Sequence, residues 1–144
     1  NGEIPPLSET LQKEDALLLK SLKELPDKVR VEINKQSFHE ALRLIWHVIA
    51  EANRYVDKQA PWALKKTDVT RMSDVLAVLL EVIRGVSLLI QPFMPDASAK
   101  LLDQIRVAPE ERLFMFLQSS NMLSGRIIDK PEGVFPRYQL FKDA

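Results

Sequence analysis

Apolar residues recur in this chain at steps of three, four or seven, the spacing of a helix face, and prolines cut the pattern into segments. Leu11, Leu18, Leu22, Leu25, Val29 and Ile33 form the first stripe. Ser8 is placed to cap it, and Pro26 predicts a break after Leu25, with Asp27 in the first turn of a second piece. Ser37-Phe38-His39-Glu40 has the form of a capping box. The helix it opens carries Phe38, Ala41, Leu42, Ile45, Ile49, Ala52 and Val56 on one face. Glu40, Arg43, His47, Glu51 and Arg54 lie on the other, and Trp46 is assigned to the core side. Pro61 should stop this helix and start a short turn of its own.

Thr67 or Asp68 can cap the next helix, which runs to about Ile90 and is apolar nearly all round. Its most apolar part, Val75 to Ile90, spans 16 residues and includes Glu81 and Arg84. A membrane span needs about 20 residues with few charges, so this is a buried central helix. Pro92 ends it. Pro95 starts another, with Ala99, Leu102 and Ile105 inward, and Pro109-Glu110-Glu111 opens a shorter one through Leu117. No period survives beyond Asn121, and Val134-Phe135-Pro136-Arg137 is an extended tail that must dock on something.

The resulting fold class is all-α: one domain over residues 1–144, a bundle of about five helices with an irregular C-terminal tail. Composition agrees. Four glycines leave few positive-φ turns for a β-meander, and the absence of cysteine excludes disulfides and cysteine-ligated metals. Twenty basic residues balance twenty acidic ones, which excludes a strongly basic nucleic-acid coat but leaves room for a local basic patch. The start, Asn1 followed by Gly2-Glu3-Ile4-Pro5-Pro6, is no signal peptide and suggests a piece of a longer chain.

Catalytic residue types are sparse. His39 and His47 sit eight residues apart on one helix, about 12 Å by the helical rise, with no carboxylate at metal-ligand spacing. There is no Gly-rich phosphate loop and no nucleophile–base pair, so no catalytic and no metal-binding residue is expected. Binding is better represented. Between Asn53 and Arg71 stand Arg54, Lys58, Lys65, Lys66 and Arg71 against two acids, Asp57 and Asp68, with Tyr55 and Trp62 interleaved. Cations that hold phosphate beside rings that stack on bases are what single-stranded RNA binding needs. Taken alone, such a run is more often a solvated face with a core Trp.

The order of these residues carries more. Asn53-Arg54-Tyr55-Val56-Asp57 followed by Ala60-Pro61-Trp62-Ala63-Leu64-Lys65 resembles the anticodon-binding domain of methionyl-tRNA synthetases. Leu89-Ile90-Gln91-Pro92-Phe93-Met94-Pro95 resembles that family's next helix end. Gly125, Lys130-Pro131-Glu132 and Phe135-Pro136-Arg137 resemble its C-terminal tail, although Gly133-Val134 stands where the family has Pro-Leu. The likeness spans about residues 35 to 138.

The resemblance implies a helical bundle attached to a Rossmann-type catalytic domain that uses ATP, with magnesium, to join methionine to its tRNA. The two ATP-binding signatures of that domain are absent here, so no cofactor is expected on this chain. The implied partners are the anticodon loop of a methionine tRNA and the protein's own catalytic domain, with no DNA and no membrane, in a cytoplasmic monomer. Trp62 on Pro61 is the implied base-stacking residue, accompanied by Asn53, Arg54, Lys58, Lys65 and Lys66. Asn53 and Tyr55 lean towards holding the helix end. The family's other base-reading residues, an Asn and an Arg, belong to a helix upstream of Asn1. The competing reading is a helical protein–protein docking module anchored by Phe114, Phe116 and Phe135.

Overall fold

The computed structural model describes residues 2–137. Five α-helices follow in order: α1 Lys13–Asn34, α2 Phe38–Gln59, α3 Pro61–Thr67, α4 Val69–Leu89 and α5 Pro95–Gln104. Two 3-10 turns, Pro109–Glu111 and Phe114–Gln118, come after them. α4 is the centre, in contact with each of the other four helices and with the second 3-10 turn. Its buried residues include Val75, Val78, Val82, Val86 and Leu89, which meet Leu18, Leu22, Leu25 and Val29 of α1 and Ala41, Ile45 and Val48 of α2. Gly85 lets α1 approach closely: a Cβ there would stand 2.7 Å from Cδ1 of Leu22. A smaller cluster joins Ile4, Leu88, Leu102, Ile105, Val107 and Leu123.

The two charges inside the most apolar stretch are paired. Arg84 donates to Glu81 at 3.0 Å and to the carbonyl of Phe116 at 2.9 Å, and it also reaches the carbonyl of Ser119. A helix too charged for lipid thereby spends its charges on pinning the 3-10 segment. Among the described residues no helix is long and apolar enough to cross a membrane.

Several boundaries differ from the sequence reading. α1 does not break at Pro26, which is buried inside it. A mid-helix proline costs about 3 kcal/mol, and the continuous stripe of Leu18, Leu22, Leu25 and Val29 against α4 offsets that. Ser8 is no cap. The helix starts at Lys13, where the Gln12 amide donates to Asp15 Oδ2 at 3.1 Å. Ser37 is the N-cap residue of α2 but makes no side-chain cap bond, and the Glu40 carboxylate accepts from Nε of Arg43 at 2.7 Å, so the expected capping box does not form.

The buried face of α2 is centred on Ala41, Ile45, Val48 and Tyr55. It is rotated away from Phe38, which is 51% exposed, and from Trp46, which is 48% exposed and not core. Asp68 does cap α4, accepting from the Arg71 amide at 2.9 Å, and Pro95 does open α5. The segment opened by Pro109 is two 3-10 turns, with Arg112 between them committed to Asp103 at 2.5 Å.

The irregular ends are tied to one another. The Ile4 amide donates to Arg126 at 2.8 Å, Gly125 returns a bond to Ile4 at 2.9 Å, and Ile128 bonds to Gly2 at 2.9 Å. One isolated antiparallel bridge, Glu3 to Ile127, results, and no strand forms among the described residues. The tail docks through Glu132, whose amide and carbonyl both bond to the Gln104 side chain at 3.0 and 2.9 Å. Phe135 stays exposed.

Candidate nucleic-acid interface

The junction of α2 and α3 is a single residue. Ala60 ends one helix and begins the other in the left-handed region, at φ 44° and ψ 61°. That conformation costs an L-residue about 1–2 kcal/mol, so its surroundings must hold it. Three bonds do so locally: the Ala60 amide donates to the Val56 carbonyl at 2.9 Å, and the Ala60 carbonyl accepts from Ala63 at 2.8 Å and from Leu64 at 3.2 Å. Pro61 occupies the first position of α3, where its missing amide is no loss, and it is buried. Trp62, the next residue, is 62% exposed. Pro61 therefore anchors the turn and Trp62 projects from it.

Lys65 and Lys66 lie three and four residues after Trp62, on the same face of α3. All three are exposed. This face has what a splayed base and its phosphate require, a ring with two cations beside it.

α3 is only seven residues long and buries only Pro61. A helix of that length is not stable by itself. Its position is fixed from behind by a buried network. Asp15 of α1 is 0% exposed and accepts four hydrogen bonds. These come from Tyr55 at 2.7 Å, from two Arg71 nitrogens at 2.6 and 2.7 Å, and from the Gln12 amide at 3.1 Å. Arg71 also donates to Gln59 Oε1 at 2.8 Å, and Gln59 donates to Glu14 at 2.6 Å. Gln59 and Arg71 bracket α3 in the chain, so both ends of the short helix are tied to α1.

The protonation states follow. Burial pushes the Asp15 carboxyl upward, but the bonds from Arg71, Tyr55 and the Gln12 amide outweigh it and hold it below the usual carboxylate range. Burial, then the bond to Asp15, raises the Tyr55 hydroxyl, and the bond to Asp15 raises Arg71, so the one stays neutral and the other charged.

The structure divides the predicted site residues. Trp62, Lys65 and Lys66 share one face of α3. Asn53, Arg54 and Lys58 stand exposed on the last turns of α2. Lys58 is paired with Glu14, and Arg54 and Lys58 border a shallow depression that also contains Glu14 and Glu51. Arg71, counted with the basic run in the sequence, is buried on Asp15 and leaves the patch. Tyr55 is structural, and its anchor is Asp15 rather than the Pro-Trp turn. Among the described residues Arg54, Lys65 and Lys66 have no ion-pair partner. His39 and His47 are exposed and lie beside Glu40 and Glu51. No group of three or more His, Asp or Glu positioned to hold a metal occurs among the described residues.

Asp15 was missed in the sequence, although a signal was present. It falls on the stripe Leu11, Asp15, Leu18, Leu22 at helical spacing, and Arg71 likewise precedes Val75, Val78 and Val82. Opposite charges on two core stripes are the sequence signature of a buried pair.

Comparison with known proteins bears on the same segment. A family model described as the anticodon binding domain of methionyl tRNA ligase matches residues 4–139. Methionine–tRNA ligase of Rhizobium meliloti is 43% identical over 139 residues, 96% of this chain and 27% of that protein. The Mycobacterium tuberculosis protein of the same name is 40% identical over 129 residues, 87% of this chain and 25% of that one. The free-state crystal structure of Mycobacterium tuberculosis methionyl-tRNA synthetase matches the fold with a TM-score of 0.91 at 37% identity, over 96% of this chain and 28% of that one. Its complex with methionyl-adenylate gives 0.89 at 36%, over 94% and 27%. The chain thus spans about a quarter of the length of the relatives it matches. It belongs to the family of methionyl tRNA ligase anticodon-binding domains.

Proposed function

We propose that residues 1–144 act as one unit that reads the anticodon loop of a methionine tRNA, within a ligase that joins methionine to that tRNA. The observation that carries this is the pairing of a buried Pro61 with an outward Trp62, and of Trp62 with Lys65 and Lys66 on the same face. A loop base stacks on the Trp62 ring while the two lysines, with Arg54, hold phosphates. In this reading Asn53 and Lys58 contribute from the last turns of α2, Lys58 with its charge already engaged by Glu14.

The chemistry that consumes ATP and magnesium belongs, in this reading, to a catalytic portion corresponding to the rest of the relatives' length. The sequence includes no Gly-rich phosphate loop, and among the described residues no acidic cluster fits a metal ion. The working unit is a cytoplasmic monomer with neither a DNA nor a membrane partner. The docking-module reading is weaker, because Phe116, one of its three anchors, is half-buried.

Binding to an isolated anticodon stem-loop tests the assignment. The methionine loop should bind more tightly than the same stem carrying another anticodon, and the affinity should fall as salt rises. Equal binding of both loops, independent of salt, would refute it.

A further inference from the structure

We infer that Asp15, on α1 and 47 positions before Trp62 in the chain, is a positioning residue for the RNA-reading turn, acting through Arg71 and Tyr55 without touching RNA. This rests on the function proposed above. Three features support it. Asp15 is fully buried, and its two oxygens receive donors from α2 and α4 as well as from the start of its own helix. Those donors flank the segment that carries Trp62: Tyr55 lies seven residues before it and Arg71 nine after. Arg71 further grips Gln59, the last residue of α2, one step from the left-handed Ala60.

α3 packs on α4 and buries Pro61 and part of Leu64, and the Asp15 network adds ties from the segments at its two ends to α1. The helix is too short to hold itself, and its strained entry needs neighbours that leave it no choice. With Asp15 charged, Arg71 is fixed by both prongs of its fork, and Gln59 is fixed in turn. Without that charge the fork is free to turn, Gln59 loses its partner's fixed position, and Ala60 can relax out of the left-handed region. The Trp62 ring then samples several directions rather than one. The same ion pair explains why Arg71, a cation beside the RNA-reading segment, contributes no charge to that surface.

The test uses the full-length ligase with Asp15→Asn, Tyr55→Phe, Trp62→Ala and the double variant Asp15→Asn with Trp62→Ala. Asp15→Asn should raise KM for tRNA roughly tenfold, equivalent to about 1.4 kcal/mol, with methionine-dependent ATP–pyrophosphate exchange unchanged. Tyr55→Phe keeps the ring and removes one donor, so it should produce a smaller loss of the same kind and serves if Asp15→Asn does not fold. In the Trp62→Ala background Asp15→Asn should add almost nothing, because it acts through that ring.

A second readout is independent of RNA. With 5-fluorotryptophan incorporated, the fluorine resonance assigned by its loss in Trp62→Phe should shift or broaden in Asp15→Asn and in Tyr55→Phe. If Trp62→Ala weakens tRNA use while Asp15→Asn and Tyr55→Phe leave KM unchanged, or add their full effect to it, the positioning role is refuted. An unmoved fluorine resonance in both variants refutes it as well. If Trp62→Ala is itself silent, the RNA-reading role falls, and the fluorine resonance alone decides whether Asp15 orients the ring.

Discussion

Arg71 and Asp15 stand 56 residues apart in the chain and close a two-pronged ion pair at 2.6 and 2.7 Å in the interior. Both are buried, and the pair joins the start of α1 to the start of α4. Removing one partner leaves the other charged and unmatched in the core, which typically costs about 3–5 kcal/mol. Arg71→Ala is therefore expected to lower the unfolding free energy by about that amount in urea titration. Replacing both residues with apolar ones of similar volume should cost much less. A loss below about 1 kcal/mol for Arg71→Ala, the value of an exposed pair, would mean that water reaches the site.

Acid should unfold the domain through identifiable carboxylates. The Arg126 guanidinium, followed by the Ala108 amide, outweighs burial and holds Glu111 down at about 2. Asp15 is displaced in the same direction. A carboxyl with a depressed folded pKa contributes stability that is complete above its unfolded pKa and is lost as pH falls through the folded one. The unfolded Glu value is about 4.3, so stability should be level above about pH 5 and decline from about pH 4 towards pH 2. Glu111→Gln should flatten part of that decline. An unchanged slope in this variant would show that Arg126 does not hold Glu111 in solution.

The bundle itself was legible in the sequence because helical spacing and proline punctuation are local signals. Pro61 and Pro95 open helices where expected, and Asp68 caps α4 through its own side chain. What could not be seen locally depended on packing between distant segments. Pro26 stays inside α1 because α4 holds that stripe in place. On α2 two apolar arcs overlap, and only the neighbours decide that Val48 and Tyr55 turn inward while Phe38 and Trp46 turn out. At the candidate site the Pro-Trp turn was visible as a motif. The fate of each cation was not: Arg71 and Lys58 find their partners on α1, more than 40 residues away.

The centre of the bundle should respond sharply to charge. Val82 is 3% exposed on α4, whereas Leu79 is only partly buried. A buried, unpaired carboxylate costs several kcal/mol, comparable with the roughly 5–15 kcal/mol that holds a domain together. Val82→Asp should abolish the cooperative melt, and Leu79→Asp should lower its midpoint but leave a transition. Circular dichroism with temperature makes the comparison. Equal and mild effects of both would contradict the central placement of α4.

Salt dependence should count the free cations. Each neutralised phosphate on a single strand contributes a slope of about −0.7 to log K against log salt. Arg54, Lys65 and Lys66 supply at most three such contacts, giving roughly −2 in total. Lys65→Ala and Lys66→Ala should each reduce the slope by about 0.7, and Lys58→Ala by less, since Glu14 already engages that ammonium. A slope unaffected by either α3 lysine would move the phosphate contacts elsewhere.

Trp62→Ala in the full-length ligase tests the central claim most directly. One base stacked on an aromatic ring is worth roughly 1–3 kcal/mol by alanine substitution, or about 5- to 150-fold in tRNA affinity. Because the ring is 62% exposed, its removal should leave the melting temperature nearly unchanged. The expected result is weakened tRNA use with a normal melt and undiminished ATP–pyrophosphate exchange, and a smaller loss in Trp62→Phe, which keeps a ring. Full tRNA affinity in Trp62→Ala, or a melt lowered by the equivalent of about 3–5 kcal/mol as for a core aromatic, would contradict it.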